Sequence, residues 1–311
     1  MGWLQYTMAT PPLLIIFLRV ISIFLPKKLS QLASFVAFCI TATIALCFCA
    51  SYGVFASIFL RCIGYGGLSQ WTVARAFKWT MWIFTGVTFR VTESARVEGG
   101  RRGGEEALKE RPAIFVGNHQ TELDVLMLGC MFPQYCSVTA KSSLKWVPFL
   151  GWFMALSKTV FIDRANRATA RAAFDGAANT IRDERQSVFI FPEGTRSYAE
   201  KPELLPFKKG AFHLAIQAQV PIVPVVVATY SHVLNLKQKK FVPGVVDFSV
   251  LPPIPTKGLT PADADALTTK TRDAMMNELI RLSHLTENGS NTPLPRATGV
   301  EDSSAELRKR N

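Results

Sequence analysis

The N-terminal part of the chain is dominated by two apolar runs separated by a short basic break. Residues 11–25 are apolar except for Arg19. Because this run is short and interrupted by a charge, we expect an interfacial helix there. Residues 29–60 contain no charged residue, and a membrane-spanning helix needs only about 20 apolar residues. The second run therefore predicts a membrane span over residues 32–60.

Residues 68–90 combine aromatic side chains with cations. Trp79 and Trp82 lie close in sequence to Arg75 and Lys78, a combination typical of a helix at the headgroup level of a bilayer. A core helix of the domain that follows would show the same pattern. The residues alone leave both interpretations open.

From residue 113 onward, short apolar runs rich in β-forming residues alternate with longer helical patterns. This alternation predicts an α/β fold, a largely parallel mixed sheet flanked by helices and preceded by the N-terminal membrane helices. The predicted strands are 113–117, 158–162, 187–192, 220–228 and 246–251, and the predicted helices are 121–132, 143–156, 166–184, 209–218 and 262–284.

Three regions follow from these patterns. Residues 1–92 form a membrane-anchoring region, and residues 93–285 form the α/β domain, which begins in a solvated loop rich in glycine and arginine at 99–104. Residues 286–311 are polar and contain Pro and Gly. Such a composition predicts a disordered tail.

The formal net charge of +12 indicates an acidic partner. The sequence contains no zinc-finger spacing, no aromatic strand of the kind that binds RNA and no zipper heptads. We therefore exclude nucleic acid and expect an anionic lipid surface or a phosphorylated substrate.

The six cysteines and four histidines do not form a recognisable framework. No CxxC occurs, and four of the cysteines lie in or beside the apolar N-terminal region. We expect reduced thiols and no structural disulfide. No metal site is expected either, since the histidines show no HExxH-like spacing.

The segment NHQTELD at 118–124 spans the junction between the first predicted strand and the first predicted helix of the α/β domain. The imidazole of His119 can take a proton from a hydroxyl near neutral pH, and a carboxylate on its other nitrogen would fix the tautomer. On one straight helix His119 and Asp124 would lie about 140° apart. The pair can meet only if His119 lies in the loop and Asp124 in the first helical turn. A loop histidine beside an acid that stabilises the helix dipole is the simpler interpretation of these two residues alone.

No enzyme nucleophile accompanies this pair. The sequence has no GxSxG motif, and Cys130 and Cys136 lie in apolar or strand-like surroundings. A histidine–aspartate pair without such a nucleophile indicates that a hydroxyl of the substrate attacks. This favours direct transfer of an activated group onto an alcohol.

Two further loops carry groups suited to an anion. The segment EGTR at 193–196 follows a predicted strand, and its arginine can bind a phosphate through two nitrogens. Lys208 and Lys209 precede a predicted helix, whose N-terminus also favours anions. Each cluster alone is more typical of a solvated turn. Together with His119 they favour a phosphorylated substrate.

Four ordered blocks make the chain similar to a known family. They are NHQTELD at 118–124, VFIDR at 160–164, FPEGTRS at 191–197 and VPIVPVVV at 220–227. In their order and spacing these blocks resemble those of the glycerolipid acyltransferases, most closely the 1-acylglycerol-3-phosphate acyltransferases. The resemblance covers roughly residues 90–255.

The resemblance implies a role for each motif position. His119 would deprotonate the sn-2 hydroxyl of lysophosphatidate, which then attacks the thioester of acyl-CoA, and Asp124 would orient His119. Arg196 and Lys141 would bind the phosphate of the acceptor. The implied substrate-binding residues are Lys141, Arg164, Glu193, Gly194, Thr195 and Arg196, to which the charge pattern adds Lys208. No metal or prosthetic group is implied, and acyl-CoA is a co-substrate.

The resemblance also gives the apolar N-terminus a purpose, because lysophosphatidate partitions into the bilayer. Acyl-CoA is cytosolic, so the catalytic domain is expected on the cytosolic face of a membrane. Arg308-Lys309 near the C-terminus resembles a retrieval signal for the endoplasmic reticulum. Two alternatives remain: another acceptor, such as glycerol-3-phosphate or a different lysophospholipid, and a non-catalytic module that binds anionic lipid.

Overall fold

The computed structural model describes residues 2–92, 103–163 and 165–289. Helices α1 (Gly2–Ser22), α2 (Lys27–Cys62) and α3 (Ser69–Thr85) precede the sheet. The remaining elements, in chain order, are β1 (Thr88–Thr92), β2 (Ile114–Gly117), α4 (Asp124–Met131), β3 (Cys136–Lys141), α5 (Leu150–Leu156), β4 (Val160–Ile162), α6 (Arg167–Glu184), β5 (Ser187–Ile190), α7 (Gly210–Ala218), β6 (Ile222–Val227), β7 (Leu234–Asn235), β8 (Lys240–Phe241), β9 (Val245–Val250) and α8 (Ala264–Gly289).

Seven of these strands form one sheet in the order β1-β9-β6-β2-β5-β3-β4. Neighbouring strands are parallel except for β6 and β9, which are antiparallel. Strands β7 and β8 form a separate hairpin. The predicted α/β fold, a largely parallel mixed sheet flanked by helices, is confirmed.

The central strand β2 is buried on both faces. Phe115 packs into the core shared with α2, α3 and α4, whereas Ile114 and Val116 pack into the core shared with α6, α7 and α8. Burial on both faces explains why the strand reads as a continuous apolar run. The carboxyl ends of β2 and its parallel neighbour β5 lie at the same edge of the sheet, so the loops that follow them are brought together.

Several boundaries differ from the predicted ones. The helix predicted over 68–90 ends at Thr85, because Gly86 adopts a φ of +72° and the β-branched run that follows pairs as β1. Pro148 lies where the helix predicted over 143–156 divides into a 3-10 turn and α5. Strand β3 was absent from the predicted strands. It lies second from one edge of the sheet, and polar residues interrupt its apolar pattern.

The bounds of the first and last described helices also differ from the predicted ones. Helix α1 begins at Gly2, ahead of the predicted run at 11–25, and α8 continues into the predicted tail as far as Gly289. No proline lies between positions 261 and 293, so none stops α8 earlier. The rest of the tail, most of the loop at 99–104, and Arg164 lie outside the described residues.

Helix α2 is the one described helix that is long and apolar enough to cross a membrane, and it contains the span predicted over 32–60. It also packs along the domain. Phe38 stacks on Phe241 of β8 with ring centroids 4.1 Å apart. Gly53 lies so close to Phe153 of α5 that an added Cβ would come within 2.5 Å of the ring. The opposite face of α2 exposes aromatic side chains, namely Phe48, Tyr52, Phe55 and Phe59.

Arg75 of α3 joins this N-terminal region to α4, the helix that follows the loop after β2. Its guanidinium donates hydrogen bonds to the carbonyl oxygens of Gly129, Cys130 and Phe132 at the C-terminal end of α4. These carbonyls have no partners within the helix, and a cation there also suits the helix dipole.

We expect Arg75→Ala to lower the free energy of unfolding by about 2 kcal/mol, since it removes charge-assisted hydrogen bonds from partly buried carbonyls. Thermal unfolding in detergent would show this as a lower midpoint. Lys78→Ala, which removes a cation one turn along α3, is the matched control. An unchanged midpoint for Arg75→Ala would contradict the assigned contact.

Candidate active site

The loop after β2 is held in place by its own side chains. The side-chain amide of Asn118 donates to the carbonyl oxygen of Val227 at 3.0 Å and accepts from the Val227 N–H at 2.9 Å. Gln120 donates to the carbonyl oxygens of Val227 and Ala228. Both amides are buried. The loop therefore has a fixed position against the end of β6.

His119 and Asp124 meet as the sequence requires. His119 lies in the loop, Asp124 opens α4, and Nδ1 of the imidazole is 2.7 Å from Oδ2 of the carboxylate. The same oxygen accepts the backbone N–H groups of Gln120 at 2.7 Å and Thr121 at 3.2 Å. An ionised Asp124 holds a proton on Nδ1, so the neutral imidazole carries its free lone pair on Nε2.

The imidazole is also fixed from behind. Its ring stacks on Phe191 with centroids 4.1 Å apart and planes at 18°. The backbone N–H of His119 donates to Oε1 of Glu193 at 2.7 Å, while Oε2 accepts from the Leu205 N–H at 3.0 Å. Glu193 is buried, and that burial raises the pKa of its carboxyl group. Glu193 therefore lies behind the histidine, with both oxygens engaged by the protein.

Tyr230 is a further member of the site and was absent from the predicted residues. Its hydroxyl donates to Oδ1 of Asp124 at 2.6 Å and accepts from the Thr121 N–H at 3.0 Å. Burial, together with the charge of Asp124, raises the pKa of this phenol well above its ordinary value, which keeps it a donor. The carboxylate of Asp124 is thus bonded on both oxygens and almost fully buried.

We expect Tyr230→Phe to lower kcat by about tenfold, since one hydrogen bond to a buried charge is removed. The acceptor KM should stay close to the wild-type value, because Tyr230 does not line the cavity that holds His119. Tyr65→Phe, at an exposed position in the α2–α3 connection, is the control. A lower rate that is fully accounted for by a smaller fraction of folded enzyme would assign Tyr230 to folding alone.

The loop after β5 carries the predicted anion-binding groups. Gly194 adopts a φ of +70°, and the side chain of Lys208 lies against it, with Nζ 2.8 Å from where a Cβ would be. Any side chain at position 194 would therefore displace Lys208 as well as strain the backbone. This contact places the lysine beside the loop that carries Thr195 and Arg196.

Arg196 has a carboxylate partner within the chain. Its Nη1 is 3.0 Å from Oε1 of Glu122, which also accepts from the hydroxyl of Tyr198 at 3.1 Å. Burial lowers the pKa of the guanidinium, but Tyr198 and Glu122 outweigh it and hold that pKa above its ordinary value. Both members of the pair are partly exposed, so an incoming anion can compete with Glu122.

A cavity of about 590 Å³ connects these groups with the N-terminal helices. Its walls are mainly apolar and come from α2, α3, α4, β3 and α5. His119, Lys141, Thr195 and Arg196 line the cavity. Of the other predicted site residues, Asp124 and Glu193 lie behind His119, Gly194 and Lys208 lie beside Thr195, and Arg164 falls outside the described residues.

Comparison with known proteins agrees with this architecture. Residues 101–228 match the family model described as acyltransferase. The 1-acyl-sn-glycerol-3-phosphate acyltransferase of Saccharomyces cerevisiae is 42% identical, over 79% of this chain and 77% of its own length. The human beta form of that enzyme is 39% identical, over 70% of this chain and 72% of its own.

A solved structure shares the fold. The crystal structure of the 1-acyl-sn-glycerophosphate acyltransferase PlsC from Thermotoga maritima matches with a TM-score of 0.64, covering 83% of this chain and 98% of the other. At 23% sequence identity this likeness supports the fold alone. The sequence identity to the yeast and human proteins is higher and extends over most of each chain. On that basis this chain belongs to the 1-acyl-sn-glycerol-3-phosphate acyltransferase family of enzymes.

Proposed function

We propose that this enzyme transfers a fatty acyl group from acyl-CoA to the sn-2 hydroxyl of 1-acylglycerol-3-phosphate and so forms phosphatidate. The observation that carries the proposal is the position of His119. Its Nδ1 is bonded to a buried aspartate, and its ring borders a largely apolar cavity that also holds Lys141 and Arg196. A base between an apolar chamber and two cations suits a substrate with a hydroxyl, an acyl chain and a phosphate.

The reaction needs no nucleophile from the protein. Nε2 of His119 accepts the proton of the acceptor hydroxyl as its oxygen attacks the thioester carbonyl carbon. The bond from carbon to sulfur then breaks, and the imidazolium returns the proton to the thiolate of CoA. Asp124 stabilises the imidazolium between these two steps. We assign no metal or prosthetic group to the reaction.

Glu193 acts in this mechanism by positioning. Since both of its oxygens bind backbone N–H groups, it ties the β5 loop to His119 and leaves acceptor binding to neighbouring groups. Those neighbours are Lys141, Thr195, Arg196 and Lys208, with Gly194 allowing Lys208 to approach. Arg164, which belongs to the same set by its motif position, completes the proposed acceptor site.

The cellular setting follows from the substrates. The family relationship and the apolar helix α2 support association with a membrane. Because acyl-CoA is made and used in the cytosol, we place the catalytic domain on the cytosolic face, and we assign the membrane to the endoplasmic reticulum.

Transfer assays with the purified enzyme would test the function. Labelled oleoyl-CoA is offered with lysophosphatidate, glycerol-3-phosphate, lysophosphatidylcholine or no acceptor. We expect labelled phosphatidate as the dominant product. A preference for another acceptor would correct the substrate, and no transfer to any acceptor would favour a lipid-binding role without catalysis.

For Arg196→Ala we expect the acceptor KM to rise about tenfold with little change in kcat, because one charge-assisted contact to the phosphate is lost. Lys201→Ala is a matched control, since it removes an exposed cation from the same loop. A large loss of kcat at an unchanged acceptor KM would remove Arg196 from the phosphate-binding role.

A further inference from the structure

The segment between β3 and β4 exposes large apolar side chains that the domain does not cover. Trp146 is 83% exposed, Trp152 is 54% exposed and Phe149 is 48% exposed. Phe149 adopts a φ of +59°, which is unusual for a residue other than glycine, and its ring lies 5.1 Å from that of Trp152. We call residues 144–152 the aromatic segment. A strained backbone that presents aromatic rings outward points to a functional surface.

The aromatic segment is adjacent to the outward face of α2. Helix α2 contacts the domain near residue 38 and again at Gly53, two points about 22 Å apart along its axis. The helix therefore lies along the domain surface. At Gly53 it packs directly on Phe153 of α5, the helix that also carries Trp152. A lipid surface on the aromatic face of α2 would consequently reach the aromatic segment.

Helix α2 and the aromatic segment also border the same cavity. Its lining includes Leu46 and Ala50 from α2, and Leu144 and Leu150 from the aromatic segment. Trp146 and Trp152 are not part of that lining, but Leu144, Leu150 and Phe153, which lie within two residues of one or the other in sequence, are. Lys145 lies next to Trp146 and is exposed. Tryptophan beside a cation is the combination that suits the headgroup level of a bilayer.

We propose that the aromatic segment inserts into the headgroup region of the bilayer and forms the lipid-side entrance of the cavity. The occupant of this surface is the membrane itself, in continuity with the outward face of α2. Trp146, Phe149 and Trp152 contact lipid, and acyl chains pass between α2 and the segment toward His119. The passage of acyl chains rests on the proposed function, whereas the contact with lipid does not.

Two readouts test the proposal, and the first uses the double variant Trp146→Ser/Trp152→Ser. With long-chain substrates in phosphatidylcholine vesicles, we expect activity about tenfold below that of the wild type, because two large side chains no longer enter the lipid. With short-chain acyl-CoA and short-chain lysophosphatidate dispersed as monomers, activity should stay at the wild-type level. Ile280→Ser/Leu285→Ser, on the exposed side of α8 across the sheet, is the matched control.

Hydrogen–deuterium exchange gives the second readout, independent of catalysis. Adding phosphatidylcholine vesicles to the wild-type enzyme should slow exchange in peptides covering 144–152 and leave peptides covering 277–285 unchanged.

Equal loss of activity in both assay formats would assign the segment to folding or chemistry and overturn the proposal. Unchanged exchange at 144–152 would overturn it as well. A wild-type enzyme inactive in both formats would refute the proposed function, while exchange would still test the lipid contact.

Discussion

Replacing His119 with alanine is expected to lower kcat by about 10³-fold while the enzyme remains folded. General-base catalysis is worth about 10²–10⁴-fold, and no other described side chain that lines the cavity can serve as a base in the same position. The hydrogen bond between the His119 backbone and Glu193 does not depend on the imidazole. The loop should therefore keep its shape, and the loss should fall on the chemical step.

The matched control is His213→Ala, which removes an imidazole from the exposed face of α7. Single-turnover rates with saturating acyl-CoA and lysophosphatidate separate the chemical step from binding. Wild-type turnover by His119→Ala would refute the proposed mechanism. Unfolding midpoints in detergent, measured on the same preparations, distinguish loss of chemistry from loss of structure.

For Asp124→Asn we expect a loss of about 10²–10³-fold in kcat, because the imidazolium loses its counter-charge. The geometry also leaves an amide no suitable orientation. Oδ2 accepts from Nδ1 of His119 and from two backbone N–H groups, and Oδ1 accepts from Tyr230. An amide nitrogen at either place would face a donor.

A double-variant cycle makes this prediction sharper. If Asp124 acts only through His119, then His119→Ala/Asp124→Asn should be no slower than His119→Ala alone. Additive losses would give Asp124 a separate role. Asp183→Asn, at an exposed position on α6, controls for the change of charge. Nitrogen-15 NMR of the imidazole would report whether Nδ1 still carries the proton.

The sequence predicted the elements whose side chains are buried on one or two complete faces. Strands β2 and β6 are continuous apolar runs because both of their faces are covered. Strand β1 was missed because it lies at the edge of the sheet and follows α3 after a two-residue connection. Its pairing with β9 depends on residues more than 150 positions away, which local periodicity does not report.

The active site shows the same difference between contacts that are local in sequence and contacts that depend on the fold. His119 and Asp124 are close in sequence, so a loop followed by a helical turn was sufficient to predict their contact. Tyr230 and Phe191 reach that pair only through the order of strands in the sheet. Tyr230 follows the end of β6, where side chains gather in an α/β sheet, and that position was the available signal. The Glu122 partner of Arg196 likewise required the two loops to be placed side by side.

Arg75 has a mechanical consequence for catalysis. Helix α4 is about 12 Å long, with Asp124 at its first position and the carbonyls bound by Arg75 at its other end. A helix of about two turns moves as a rigid unit. A shift of α3 at the C-terminal end of α4 would therefore displace the Asp124 carboxylate at the N-terminal end. Helix α3 in turn rests on α2. The position of the N-terminal helices is therefore linked, through α3 and α4, to the carboxylate that contacts His119.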